Sequence, residues 1–192
     1  MKNAMLEFMM VSAAYVRALD LNSGAKFRSM HDFFLHNGRE FPTRSQVDTK
    51  PLMGEVGHCF MNAARLAMDR PSEFIYCEGY ANLVPQWPEP MHHAWLVDSE
   101  GAVIEVTHPA DFYLGIAVQH DFMMSRIEET NYFGLFTGMP DLDLSFVNMS
   151  PENWRHPVMN HLPELDLSEF EEKIKQIKEQ CVRTNERNLV RV

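Results

Sequence analysis

The sequence predicts an α+β domain, and three observations carry that prediction. Apolar residues recur at helical spacing near both ends of the chain, over 3–19 and from Ser168 onward. An alanine-rich stretch from Cys59 to Arg70 reads as a further helix in the middle of the chain. Period-two stretches at 74–81, at His93 to Asp98 and at Gly101 to Thr107 read as strands, the last two close enough to form an antiparallel hairpin.

At 192 residues the chain is long enough to bury one core and is expected to be a single domain. Its catalytic core is expected at about 40–140, with a helical N-terminal part (1–38) and a C-terminal helix (166–186) as extensions. The formal charge of −10 argues against a nucleic-acid partner, because neutralising phosphates needs clustered Lys and Arg. Three cysteines, Cys59, Cys77 and Cys181, stand at unrelated spacings, so a disulfide framework is not expected and a reducing, cytoplasmic setting is. Met5 to Val16 is apolar enough to compete as a signal peptide. Glu7 interrupts it and only Lys2 precedes it as a cationic side chain, so the run reads as an amphipathic first helix. No run approaches the length of a bilayer span, and no membrane association is expected.

Taken in order, Leu6, Met9, Met10, Ala13 and Val16 make one face of the first helix, which ends at the turn-forming Asp20 to Gly24. A second helix is expected from Ala25 to His36, with Asn37-Gly38 as its stop. Phe41 to Glu55 has no sustained period and reads as a long loop, the kind that often borders a functional site. It leads into Gly57-His58-Cys59 and the central helix, which Pro71 terminates. The strand at 74–81 alternates large side chains (Phe74, Tyr76, Tyr80) with small ones (Cys77, Gly79, Ala81). Val84 to Met91, holding Trp87, connects it to the hairpin. Beyond the hairpin, 108–125 is ambiguous apart from a strand at Leu114 to Val118; Tyr132 to Phe136 reads as another strand, and Met139 to Pro163 as irregular. Ser168 and Glu171 have the spacing of a capping box for the last helix, whose stripe is Phe170, Ile174, Ile177 and Cys181.

The hairpin carries the sharpest inference. With a three-residue loop Ser99-Glu100-Gly101, and Gly101 in the left-handed position, Asp98 pairs with Ala102. Alternation then collects Ala94, Leu96, Ala102, Ile104 and Val106 on one face, an apolar set suited to a core. The other face receives His93, Trp95, Val97, Val103, Glu105 and Thr107, bringing His93 within diagonal reach of Glu105. A loop of even length would bury Glu105 among the core residues and strand Ile104 beside His93.

That pairing matters because of Cys59. A thiol reacts as the thiolate, and a helix N-terminus or an imidazolium favours the negative charge. Cys59 stands at the head of the central helix, just after Gly57, whose backbone freedom suits a tight turn there. The chemistry this suggests has Cys59 as nucleophile, His93 as base and Glu105 as the acid that orients the imidazole. The Cys59 backbone N–H would serve as one oxyanion donor, and a loop side chain such as Gln46 as a candidate second. Trp95, Trp87, Cys77 and Cys181 read as packing residues, His92 as a loop or groove residue on the core-facing parity, and Asn62 as a local hydrogen-bonding residue.

In these residues the chain resembles the transglutaminase-like branch of the papain-like superfamily. The family shows Gly-x-Cys at a helix start, a strand with a Gly-aromatic-Ala segment, His-x-Trp on a strand and an acid followed by Thr. Here these are Gly57-His58-Cys59, Gly79-Tyr80-Ala81, His93-Ala94-Trp95 and Glu105-Val106-Thr107, over roughly residues 54–108. Glu105 departs from the aspartate the family commonly carries before Pro-Thr, and Phe60 from its tryptophan. The resemblance implies a papain-like fold, with the Cys59 helix packed on an antiparallel sheet, and a thiol-dependent hydrolase or acyltransferase. Its substrate would be an amide, thioester or peptide-like bond; no cofactor or metal is implied. Two rival readings use the same residues: a catalytically inactive binding module of that fold, and a metal site built from His58, Cys59, His92 and His93. The second is disfavoured because adjacent strand residues point to opposite faces and no CxxC or HxxxH pair is present.

Overall fold

The computed structural model describes residues 2–19, 26–43, 52–83, 89–136 and 150–189. Gln46 and Trp87, and the side chain of Cys181, lie outside the described residues. The chain is α+β. Among the described residues five α-helices, α1 (Lys2–Leu19), α2 (Met30–Asn37), α3 (Cys59–Asp69), α4 (His120–Thr130) and α5 (Ser168–Leu189), surround one antiparallel sheet. Its strands are β1 (Arg39–Glu40), β2 (Ile75–Ala81), β3 (Met91–Val97), β4 (Val103–Ile104) and β5 (Tyr113–Ala117), in the order β1-β5-β2-β3-β4. No described helix is long and apolar enough to cross a membrane.

The sheet curls. β1 and β4 lie at its opposite edges, yet Thr43, just past β1, bridges to Val103, and Val103 donates to the Pro42 carbonyl at 3.0 Å. The result is a half-barrel with two apolar cores. The outer one holds Tyr76, Tyr80, Ala94, Leu96, Ile104, Leu114 and Ile116 from the sheet, with Ala63, Ala64 and Ala67 of α3 and the buried faces of α1 and α2. The inner one holds Phe41, Cys77, Trp95, Val97, Val103, Tyr113 and Ala117, closed by Val158 and Met159.

The hairpin has the expected register. Leu96 faces Ile104, Val97 faces Val103, and the Asp98 N–H donates to the Ala102 carbonyl at 3.1 Å. Gly101 takes the left-handed conformation at φ 81°, while the Asp98 carboxylate accepts from the N–H groups of Glu100 and Ala102. Apolar alternation selected this register because a slip by one residue would exchange the contents of the two cores.

Other expectations need correction. α2 starts at Met30 rather than Ala25, because the Ser29 hydroxyl caps it by accepting from the Asp32 N–H at 3.1 Å. The strand expected over Gly101 to Thr107 is only Val103–Ile104. Beyond it the N–H groups of residues 106–108 turn toward the Glu105 carboxylate and leave the ladder. Tyr132 to Phe136 is not a strand, since the N–H groups of Leu135 and Phe136 are taken by Glu78. Ser168 and Glu171 do not form a capping box. The Glu171 N–H bonds the Leu167 carbonyl, and Asp166 anchors the helix start by accepting from the Ser168 N–H. Phe170, Ile174 and Ile177 of that helix do form the docking stripe, and α5 packs against α1.

Candidate active site

Cys59 is the first residue of α3, after Gly57 at φ 87°, and is partly exposed. The preceding His58 supplies no side-chain cap. The first intrahelical bond runs from the Asn62 N–H to the His58 carbonyl at 2.8 Å, so the N–H groups of Cys59, Phe60 and Met61 precede the helical ladder and point beyond the helix end. Alanines at 63, 64 and 67 let α3 lie close on the outer face of β2 and β3. Its N-terminus thereby comes to the end of β3 where β4 is too short to pair, since β4 faces only Leu96 and Val97.

His93 sits at that end of β3, buried, and the Cys59 thiol is within hydrogen-bonding reach of its ring. The other side of the imidazole meets Glu105, with Nε2 3.0 Å from Oε2. A carboxylate only accepts, so Nε2 carries the proton and Nδ1 is the nitrogen left for the thiol. Burial by itself would lower the His93 pKa. Hydrogen bonds to Cys59 and Glu105 and the Glu105 charge outweigh it and hold the value up at about 9. Trp95 stacks beside the ring, 6.3 Å away with planes 17° apart, in space that exists because Gly115 has no Cβ. A Cβ there would stand 2.5 Å from the Trp95 ring.

Glu105 is a fixed anion. Oε1 accepts from the backbone N–H groups of Val106, Thr107 and His108 at 2.9, 2.7 and 3.0 Å. Oε2 accepts from the Tyr113 hydroxyl at 2.8 Å as well as from His93. Burial works to raise its pKa, but the bonds from His93, His108 and Tyr113, with the His93 charge, bring it below the ordinary glutamate value. The glutamate side chain is long enough for its carboxylate to fold back over its own turn. The same turn locates the start of α3: the Val106 carbonyl accepts from the Gly54 N–H at 2.7 Å, and Thr107 Oγ1 accepts from Asn62 Nδ2 at 3.0 Å. The acid and the start of α3 are thus positioned by one four-residue segment.

The structure brings together Cys59, His93 and Glu105. His92 points to the opposite face of β3, with Nε2 3.2 Å from Glu78 Oε1, while His58 pairs with Glu55 at the surface. Among the described residues no group of three or more His, Cys, Asp or Glu side chains is placed to hold a metal ion. Cys77 is a buried core thiol whose pKa burial pushes up.

Tyr113 went unread in the sequence. Its hydroxyl also accepts from the Ala110 N–H at 2.9 Å, and burial, then the Glu105 charge, raises its pKa so that it remains a donor. The only signal was its place next to the strand expected at Leu114, and that strand's insertion between β1 and β2 is a long-range pairing that local patterning does not report. Comparison with known proteins adds nothing to these residues: no family model, no curated protein and no solved structure matches the chain.

Proposed function

We propose that this protein is a cysteine hydrolase or acyltransferase of the papain-like, transglutaminase-like kind, with Cys59 as nucleophile, His93 as general base and acid, and Glu105 as orienting acid. The observation that carries the reading is the unbroken run Cys59–His93–Glu105, in which each end of the imidazole has one partner. A helix head beside an antiparallel half-barrel, with the acid one residue past the strand that follows the histidine's, supports the fold assignment as well.

In the reaction, the Cys59 sulfur attacks the substrate carbonyl carbon as its proton passes to His93 Nδ1, and the carbonyl π pair moves onto oxygen. The oxyanion that forms lies at the head of α3, where the Cys59 N–H can donate to it. When the tetrahedral species collapses, the C–N, C–O or C–S bond breaks and His93 returns the proton to the leaving group. The thioester left on Cys59 is resolved by water or by an amine, whose proton His93 takes in turn. Glu105 keeps the Nε2 proton in place and offsets the imidazolium charge throughout.

A p-nitrophenyl acetate burst tests this. One equivalent of p-nitrophenolate and one acetyl group on Cys59 by intact mass are expected, both absent in Cys59→Ala; a burst that survives that substitution places the nucleophile elsewhere. Adding a primary amine separates the two subclasses, since an acyltransferase yields the acetamide.

A further inference from the structure

A strip of aromatic rings leaves Cys59 on the side away from His93. Phe60, the next residue of α3, has its ring 5.1 Å from His92 and 6.5 Å from Tyr132. His92 stands 5.3 Å from Tyr80, Tyr80 4.8 Å from His31, and His31 5.9 Å from Phe8 of α1. Five of these six rings are at least partly open to solvent, and Tyr132 is 46 % exposed; Tyr80, at 8 %, forms the floor.

The strip is held from beneath. Glu78, fully buried, accepts from the N–H groups of Leu135 and Phe136, and the Tyr76 hydroxyl shares its one proton between Glu78 Oε2 at 2.9 Å and the Phe133 carbonyl at 3.0 Å. Those bonds fix the segment that presents Tyr132. Nothing in the packing of the core requires a tyrosine ring to lie half open on a pinned loop beside Phe60. Burial, and secondarily the His92 charge, lowers the His31 pKa, so that ring is a neutral π surface at physiological pH.

We propose that this strip is the acyl-side subsite of the Cys59 site, taking substrates that carry an aromatic ring close to the reacting carbonyl. The inference rests on Cys59 being the nucleophile. The side follows from proton delivery: His93 must face the leaving group, and His92 and His93 project from opposite faces of β3, so the strip is left to the acyl portion. An aromatic acyl group gains offset or edge-to-face contact along successive rings, which an aliphatic chain of equal size does not.

The test uses the full chain with p-nitrophenyl phenylacetate and p-nitrophenyl hexanoate, which share a leaving group. Burst rates are each divided by the rate of the same ester with glutathione, and the adduct on Cys59 is confirmed by mass. The normalised preference for phenylacetyl is expected to be about tenfold in the wild type, and to drop below about threefold in Tyr132→Ala and in His92→Leu, each of which removes a ring neighbouring Phe60. A preference near one in the wild type, or one that both variants leave unchanged, overturns the aromatic subsite while acylation of Cys59 stands. Failure of both esters to acylate Cys59 overturns the nucleophile itself and the subsite with it.

Discussion

His92 and His93 are neighbours on β3, and each lies close to a buried carboxylate, Glu78 at 3.2 Å and Glu105 at 3.0 Å. Their third partners separate them. His93 looks into the half-barrel and meets the Cys59 thiol, and its carboxylate is fixed by its own turn, which also holds the loop before α3. His92 looks outward into the rings of Phe60 and Tyr80, and its carboxylate joins the segment around Leu135 to β2. A histidine–carboxylate pair is therefore not a catalytic dyad by its distance alone; what lies beyond the histidine decides.

The comparison breaks most visibly in turnover. His93→Ala should lower acylation by p-nitrophenyl acetate by about a thousandfold or more, whereas His92→Leu should change it less than about tenfold with this small acyl group. Equal losses would erase the distinction.

Next come the two carboxylates, which should fail in opposite assays. Glu105→Gln is expected to cost about a hundredfold or more in acylation, because the amide no longer offsets the imidazolium. Glu78→Gln should leave acetylation within about tenfold but reduce stability to urea by about 2 to 4 kcal/mol, because buried N–H donors then face an amide NH₂.

The pH dependence sharpens the pair further. The folded His93 pKa is raised from the ordinary 6.5 to about 9, so its stabilising contribution is complete below about 6.5 and is lost as pH rises through about 9. Urea midpoints measured across that window should fall in the wild type and flatten in His93→Gln. Turnover should decline above about pH 9 as His93 loses the proton it gives to the leaving group.

The smallest effect belongs to Tyr113. Tyr113→Phe removes one donor from Glu105, which then holds the imidazolium more strongly, so turnover should fall only about three- to tenfold while the basic limb of its pH profile moves upward. A fall without that movement would assign Tyr113 to packing alone.

What was legible in the sequence was local. The turn at Asp98 to Ala102 sets the parity of His93 and Glu105 because one glycine and an alternating apolar pattern agree on the register. The helix beginning at Cys59 was readable from its alanines and from Pro71. What could not be read depends on partners distant in the chain. Leu135 and Phe136 look like strand residues by side chain, but their N–H groups are claimed by a glutamate on β2. Tyr113 acquires its role through pairings across the curled sheet. The end of β4 is set by a carboxylate that captures its own backbone, which period-two patterning cannot register.

The central claim is that His93 activates Cys59, and the rate of iodoacetamide labelling at pH 7, followed residue by residue in the folded protein, tests it most directly. Cys59 should label faster than glutathione and far faster than the buried Cys77, and His93→Ala should slow it by about tenfold or more. A Cys59 that labels no faster than glutathione, at a rate His93→Ala leaves unchanged, would contradict the account.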